Sequence, residues 1–374
     1  MEKHSMRHLL WAALFLLYCS CGCLAAVVQQ LPQKGQSALQ AYTVSSDTAA
    51  DDTKIGSDWK AIRIGVYTKL VEDMVEFCTT KKKEMPREYE ELARKYEEEE
   101  EDADEEHEEP AQELYDLKDL CNADKITEDK KKVLFERVLP KAIKLHADRL
   151  KVKQVKGTLM IPRKEEQKIR NNICQFFKDP LTKNVTDGPV VDFMIFASLS
   201  KEPQKVVICS QDNENRPTSA VIKFIPKEIE ATRQYIRLTA HEIAHGLGFQ
   251  HELMKELNMI KERSIDLPRE LVPYGRNEFY MVNSTKIVEV LKSHYRCKDG
   301  EIEGLYLEDE EDSDLPSHWE RLIAKDELMS TYFGEPSGMY YSALTLAAFE
   351  GMKFYQAVSL VRMCYLIVVP RLST

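Results

Sequence analysis

His241-Glu242-Ile243-Ala244-His245-Gly246-Leu247-Gly248-Phe249-Gln250-His251 is the stretch around which the rest of the 374-residue chain is read. On a helix, positions four apart share a face, so His241 and His245 can aim nitrogen at one tetrahedral ion while Glu242 leans toward the water that ion carries. Zinc brings the pKa of bound water to about 7, and a neighbouring carboxylate can take the proton as the hydroxide attacks a peptide carbonyl, then return it to the leaving amine. The spacing predicts a hydrolytic centre holding one Zn2+, with Glu242 as general base and no covalent nucleophile. For His241 to His245 alone, an ordinary amphipathic helix is the alternative.

The following residues extend the pattern to H-E-x-x-H-x-x-G-x-x-H, the metzincin form. Gly248 is expected to end the helix, because glycine permits the left-handed turn that swings the chain back and lets a later histidine complete the metal site. Metzincins also carry a methionine turn beneath the metal. Asp326-Glu327-Leu328-Met329 is the candidate, with Met329 as its methionine; the alternative is a methionine that fills core.

Ser317-His318-Trp319-Glu320, then Asp326-Glu327-Leu328-Met329, then Tyr340-Tyr341-Ser342-Ala343-Leu344-Thr345 follow in an order that resembles the leishmanolysin family. Leu139-Pro140, Leu145-His146-Ala147-Asp148-Arg149-Leu150-Lys151-Val152 and Arg216-Pro217 have family-like counterparts, so the likeness runs from about Ile62 to Gln356. It implies a zinc metalloendopeptidase acting on proteins or peptides, with His318 as the third ligand, displaced by a long insertion. An ordinary metzincin would use His251 instead, and this chain offers both; with His318 as ligand, His251 becomes a supporting or surface residue. The resemblance further implies disulfides Cys78–Cys121 and Cys174–Cys209, leaving Cys297 with Cys364. Two family features are missing from the expected pattern. No cysteine between Ala26 and Cys78 could cap the metal, and the chain stops soon after Gln356, as a truncated or alternatively ended product would.

Composition sets the wider bounds. Hydrophobic residues make up 43% of the chain, enough for a sizeable core. The formal charge of −11 is concentrated between Glu88 and Glu113, which carries a net of −13, so the remainder is near neutral and gives no electrostatic case for nucleic acid. Like charges at that density resist compaction and read as a solvated insert at 84–114, without the spacing of a calcium loop.

At the N-terminus, Lys3 and Arg7 precede the uncharged stretch Leu9 to Val28, with small residues at Cys23-Leu24-Ala25-Ala26. That is a signal peptide (1–26), or an anchor if it is retained and associates with the membrane. Residues 27–57 follow as a linker or short pro-segment, 58–248 as the N-terminal catalytic lobe, 249–356 as a second lobe with the third ligand and methionine turn, and 357–374 as a short tail. Entry into the secretory pathway makes disulfides expected and gives meaning to the sequons Asn184-Val185-Thr186 and Asn283-Ser284-Thr285.

The expected fold is α+β: a metzincin-like module with a mixed sheet, an active-site helix and a smaller second lobe. Alternation predicts strands at Ile62 to Tyr67, Val190 to Ala197, Val206 to Ser210 and Val221 to Ile225, the last resembling a substrate-pairing edge. Thr127 should cap a helix running toward Val152, kinked by Pro140, and the histidine helix should run from about Glu228 to Leu247. A catalytically inactive zinc-holding module for surface adhesion or interaction is the competing function. Retention of Glu242 argues against it, and oligomeric state is not legible.

Overall fold

The computed structural model describes residues 58–80, 121, 126–159, 174, 190–200, 205–264, 278–295, 302–308, 317–331 and 338–358, with backbone alone at 27–29 and 39–44. Chain order runs through β1 (Val27–Gln29), β2 (Leu39–Val44), β3 (Trp59–Ala61), β4 (Ile64–Tyr67) and helix α1 (Lys69–Thr80). A composite helix follows: α2 (Glu128–Lys132), a π-helical run at Val133–Val138, and α3 (Leu139–Ala147). Strands β5 (Leu150–Lys153), β6 (Phe193–Leu199), β7 (Val207–Gln211) and β8 (Pro217–Phe224) lead to helix α4 (Arg233–Gly246). Beyond it come α5 (His251–Glu256), β9 (Ile260–Ser264), β10 (Glu278–Val282), α6 (Thr285–Tyr295) and β11 (Leu305–Tyr306), then α7 (Arg321–Ala324), α8 (Ala343–Gly351) and β12 (Gln356–Ala357).

The architecture is the expected mixed α+β. A six-stranded sheet has the order β1-β2-β4-β6-β8-β7, parallel through β4, β6 and β8 and antiparallel elsewhere. Every residue of β6 is buried, the signature of a strand covered on both faces. β1 and β2, from the segment read as linker or pro-segment, lie on the far side of this sheet. Two three-stranded sheets, β11-β10-β9 and β12-β5-β3, complete the strand set among the described residues.

Two local expectations are corrected. The strand at Pro217–Phe224 is internal, flanked by β6 and β7, and is buried almost throughout. The edge on that side of the sheet is β7, whose half-exposed pattern and irregular register at Cys209 are typical of an edge. The helix capped by Thr127, which accepts the Lys130 N–H, does not reach Val152. It ends at Ala147, because Leu150 and Val152 are buried while Lys151 and Lys153 face outward, a period of two that belongs to a strand. Around Pro140, where a kink is expected, the helix changes its hydrogen bonding: the preceding residues form π turns, with the Leu139 N–H donated to the Leu134 carbonyl, and Pro140 sits in the first turn of α3.

One buried ion pair joins two of the sheets. Asp192, fully covered just before β6, accepts from Arg63 Nε and the Arg63 backbone N–H through one oxygen. Its other oxygen accepts from Arg63 Nη2 and the Val155 N–H, just beyond β5. Cys78–Cys121 and Cys174–Cys209 are both disulfide-bonded, as the resemblance implied. The N-terminal stretch 1–26, the acidic insert 84–114, Asn184, the Cys297–Cys364 pair and the tail after 358 lie outside the described residues. No described helix is long and apolar enough to cross a membrane.

Replacing Asp192 with alanine leaves the Val155 amide without its acceptor and the Arg63 guanidinium with the Val155 carbonyl in place of its counter-ion. We expect a loss of about 3–5 kcal/mol in unfolding free energy, read as an earlier urea midpoint with two-state behaviour retained.

Candidate metal centre

Helix α4 begins where Thr232, in extended conformation, accepts the Tyr235 N–H. Its buried face, Tyr235, Thr239, Ala240, Ile243 and Ala244, lies on the sheet, and Gly246 allows the close approach: a Cβ there would sit 3.2 Å from both Ala220 and Phe193. The helix ends at Gly246 in a Schellman turn. Gly248 at φ +117° lets its own N–H reach the His245 carbonyl and the Phe249 N–H reach the Ala244 carbonyl. A Cβ on Gly248 would stand 2.8 Å from Leu253.

That turn does more than stop the helix. It folds the Phe249 carbonyl under His245, whose Nδ1 donates to it at 2.7 Å. His241 donates through Nδ1 to the Leu328 carbonyl, also at 2.7 Å. Both imidazoles are thereby held with the proton on Nδ1, leaving Nε2 as a lone pair.

The third imidazole is His318. Its backbone is clamped, since the His318 carbonyl accepts the Glu308 N–H and the Trp319 N–H donates to the Met329 carbonyl. Bridges join Trp319 to Leu307 on one side and Ser330 on the other. The Nε2 atoms of His241, His245 and His318 form a nearly equilateral triangle with sides of 3.0, 3.1 and 3.0 Å. Among the described residues this is the group of His, Cys, Asp or Glu side chains able to hold a metal ion.

The donor set fits zinc. Nitrogens each about 2.0–2.1 Å from a tetrahedral zinc sit about 3.3 Å apart, close to the observed spacing. Two lone pairs, on His241 and His245, face each other at 3.1 Å with no proton to share, an arrangement that a cation relieves. Burial holds His241 down to about 3 and His245 well below the usual histidine range, with the neighbouring imidazoles adding to both, so these two rings stay neutral and ready to donate. Burial pushes the Glu242 carboxyl up to about 7, with His318 pulling the other way.

His251 is elsewhere. The first residue of α5, it is fully buried, with its ring edge-on to Tyr280 at 4.7 Å, and is not the solvated residue expected of a helix end. Its backbone N–H donates to Ser317 Oγ, which braces the residue before His318. Met329 is fully buried, and its carbonyl fixes Trp319.

Reading the sequence for ligands passed over His146. Buried in α3, it bonds through Nε2 to the Ala240 carbonyl, beside His241, and through Nδ1 to the Tyr341 hydroxyl. The signal was present as the family-like segments around His146 and Tyr341, but nothing in their spacing showed that they meet.

The leishmanolysin family model (peptidase M8) matches residues 113–360, about two thirds of the chain. Leishmanolysin from Leishmania amazonensis is 30% identical over 248 residues, covering 63% of this chain and 38% of that protein. A leishmanolysin homolog from Crithidia fasciculata is 26% identical over 325 residues, covering 84% and 43%. The ciliated left-right organizer metallopeptidase of Mus musculus is 26% identical over 190 residues, covering 46% and 27%. The chain spans less than half the length of the curated relatives it matches.

Gly248→Ala should cost about 1–3 kcal/mol, because it combines a left-handed backbone with a steric clash. It should also weaken metal retention by moving the Phe249 carbonyl; thermal unfolding with metal content measured on the same samples checks both. Burial holds His146 down to about 3 against 6.5 when exposed. The unfolded chain therefore binds a proton that the folded chain refuses, and this part of the stability, complete above pH 6.5, is lost as pH falls toward 3. His146→Gln should flatten the stability profile over pH 6 to 4 by about 1.4 kcal/mol per pH unit, measured by urea unfolding of both proteins.

Proposed function

The chain belongs to the leishmanolysin family, and from that premise we propose that it is a zinc-dependent endopeptidase with His241, His245 and His318 as the ligands and Glu242 as the base. The observation that carries this reading is the 3.0–3.1 Å triangle of Nε2 atoms, two of them kept deprotonated by backbone carbonyls. Met329 is the methionine of the turn following the third ligand, and Gly248 sets the turn that orients the second.

When bound, zinc supplies Lewis acidity and brings the pKa of a coordinated water to about 7. Glu242, one residue after His241 on the same helix and buried near His318, would be the carboxylate that takes up that water's proton. The carboxylate takes the proton as oxygen attacks the peptide carbonyl, then gives it to the departing amine, a cycle for which a carboxyl poised near neutrality is suited. The exposed edge β7 begins beside the centre: Gln250, in the turn after α4, donates to the Val206 carbonyl next to that strand. That edge is where an extended peptide could be added by main-chain hydrogen bonds.

Proteins or peptides are the proposed substrates. The setting is the secretory pathway or cell surface, supported by the two disulfides and by the charged, then apolar, N-terminal segment. With Glu242 present, the inactive adhesion module is the weaker alternative.

The test is casein hydrolysis by the secreted protein, with zinc measured on each variant. Glu242→Gln should keep its zinc and lose about 10²- to 10⁴-fold in kcat. His318→Ala should lose zinc, and His251→Ala should keep it. A wild type that holds zinc and cleaves nothing would favour the interaction module, and loss of zinc in His251→Ala alone would reassign the third ligand.

A further inference from the structure

The two halves of the imidazole triangle come from chain segments 73 or more residues apart, so something must hold the His318 segment in register with α4. The Leu328 peptide is one element of that hold: its carbonyl carries His241, and its N–H donates to the Tyr340 carbonyl. The Trp319 backbone is another, bonded to Met329. Between them lies a carboxyl that the chemistry above does not use.

Glu327, buried in the Asp326–Met329 turn, accepts the Thr345 hydroxyl at 2.8 Å and is bonded by Ser342 as well. Thr345 Oγ1 in turn accepts the Trp319 indole N–H at 3.2 Å. A continuous path therefore runs from His318 through its neighbour Trp319 to Thr345, on to Glu327, and through Leu328 to the His241 ring. All three side chains in the middle of this path are buried. Placing a carboxyl there is costly unless its bonds are fully met, and a methionine turn could be closed by apolar packing alone.

We propose that Glu327 is a positioning residue that sets the separation of His241 and His318 through the Thr345–Trp319 relay, and so tunes metal affinity. This rests on the ligand set proposed above. Partners that orient metal ligands from behind commonly change affinity by about 10- to 100-fold when removed.

Ser342 and Thr345 also begin helix α8, so the bland role for Glu327 is to cap that helix. Zinc affinity separates the two roles. Chelator competition on full-length protein should show at least tenfold weaker zinc binding for Glu327→Ala and for Thr345→Val. The second variant cuts the relay at nearly constant volume and decides the matter if the first does not fold. Glu327→Gln, which keeps the shape and an oxygen to accept from Thr345, should stay within threefold of wild type. At saturating zinc, kcat of the weakened variants should fall while KM moves less than twofold.

Zinc binding by Thr345→Val within twofold of wild type, with only a lower Tm, overturns the proposal in favour of a capping role. A wild type that binds no zinc sinks the ligand assignment itself, and the two failures are thus distinct.

Discussion

The centre depends on keeping two imidazoles, those of His241 and His245, neutral and fixing which nitrogen carries the proton. A histidine can present a lone pair from either ring nitrogen, and only the Nε2 tautomeric lone pairs converge here. Two backbone carbonyls, those of Phe249 and Leu328, impose that choice by accepting from Nδ1 at 2.7 Å. Burial then removes the competing protonated state. Three ring nitrogens within 3.0–3.1 Å of one another, two of them fixed as lone pairs, make a donor set suited to a cation.

Each of those carbonyls comes from a turn. The first belongs to the Schellman turn at Gly248, a local device whose geometry follows from one residue without a Cβ. The second lies in the Leu328 turn, which is not local at all. It is bonded to Trp319 on one side and Tyr340 on the other, and those segments are in turn fastened to α8 and to the β11 region. The centre is thus half local and half assembled, and the assembled half is where the buried polar groups gather.

This division also explains what could be read in advance. The i, i+4 spacing of His241 and His245, the glycine at 248 and the Thr127 cap are encoded within a few residues, so they were legible from chemistry alone. His318 was reached through family likeness, because no spacing rule connects it to a helix that ended 72 positions earlier. The internal place of Pro217–Phe224 was missed because an apolar run reads the same whether a strand is central or at an edge; only the partner β7 decides, through pairing. The strand at Leu150–Lys153 was missed because a helical run and a short alternating one meet across Asp148 and Arg149 with no glycine or proline between them. His146 was overlooked for a different reason: a lone histidine in a helix carries no pattern until its partners at Ala240 and Tyr341 are known.

The sheet β12-β5-β3 has a bearing on how the molecule is made. Gln356 pairs with Lys151, and Tyr355, beside it, donates its hydroxyl to the Leu247 carbonyl at the end of α4. At synthesis rates of about 5–20 residues per second, roughly 10–40 s separate the emergence of Lys151 and Gln356 from the ribosome, and about half that separates Leu247 and Tyr355. Until Gln356 arrives β5 has an open edge, and until Tyr355 arrives the helix bearing two imidazoles lacks its terminal anchor. Assembly of the three-imidazole centre therefore waits for the segment that carries His318 and its bracing turn, and the metal supply that matters is the supply in the compartment where that segment docks.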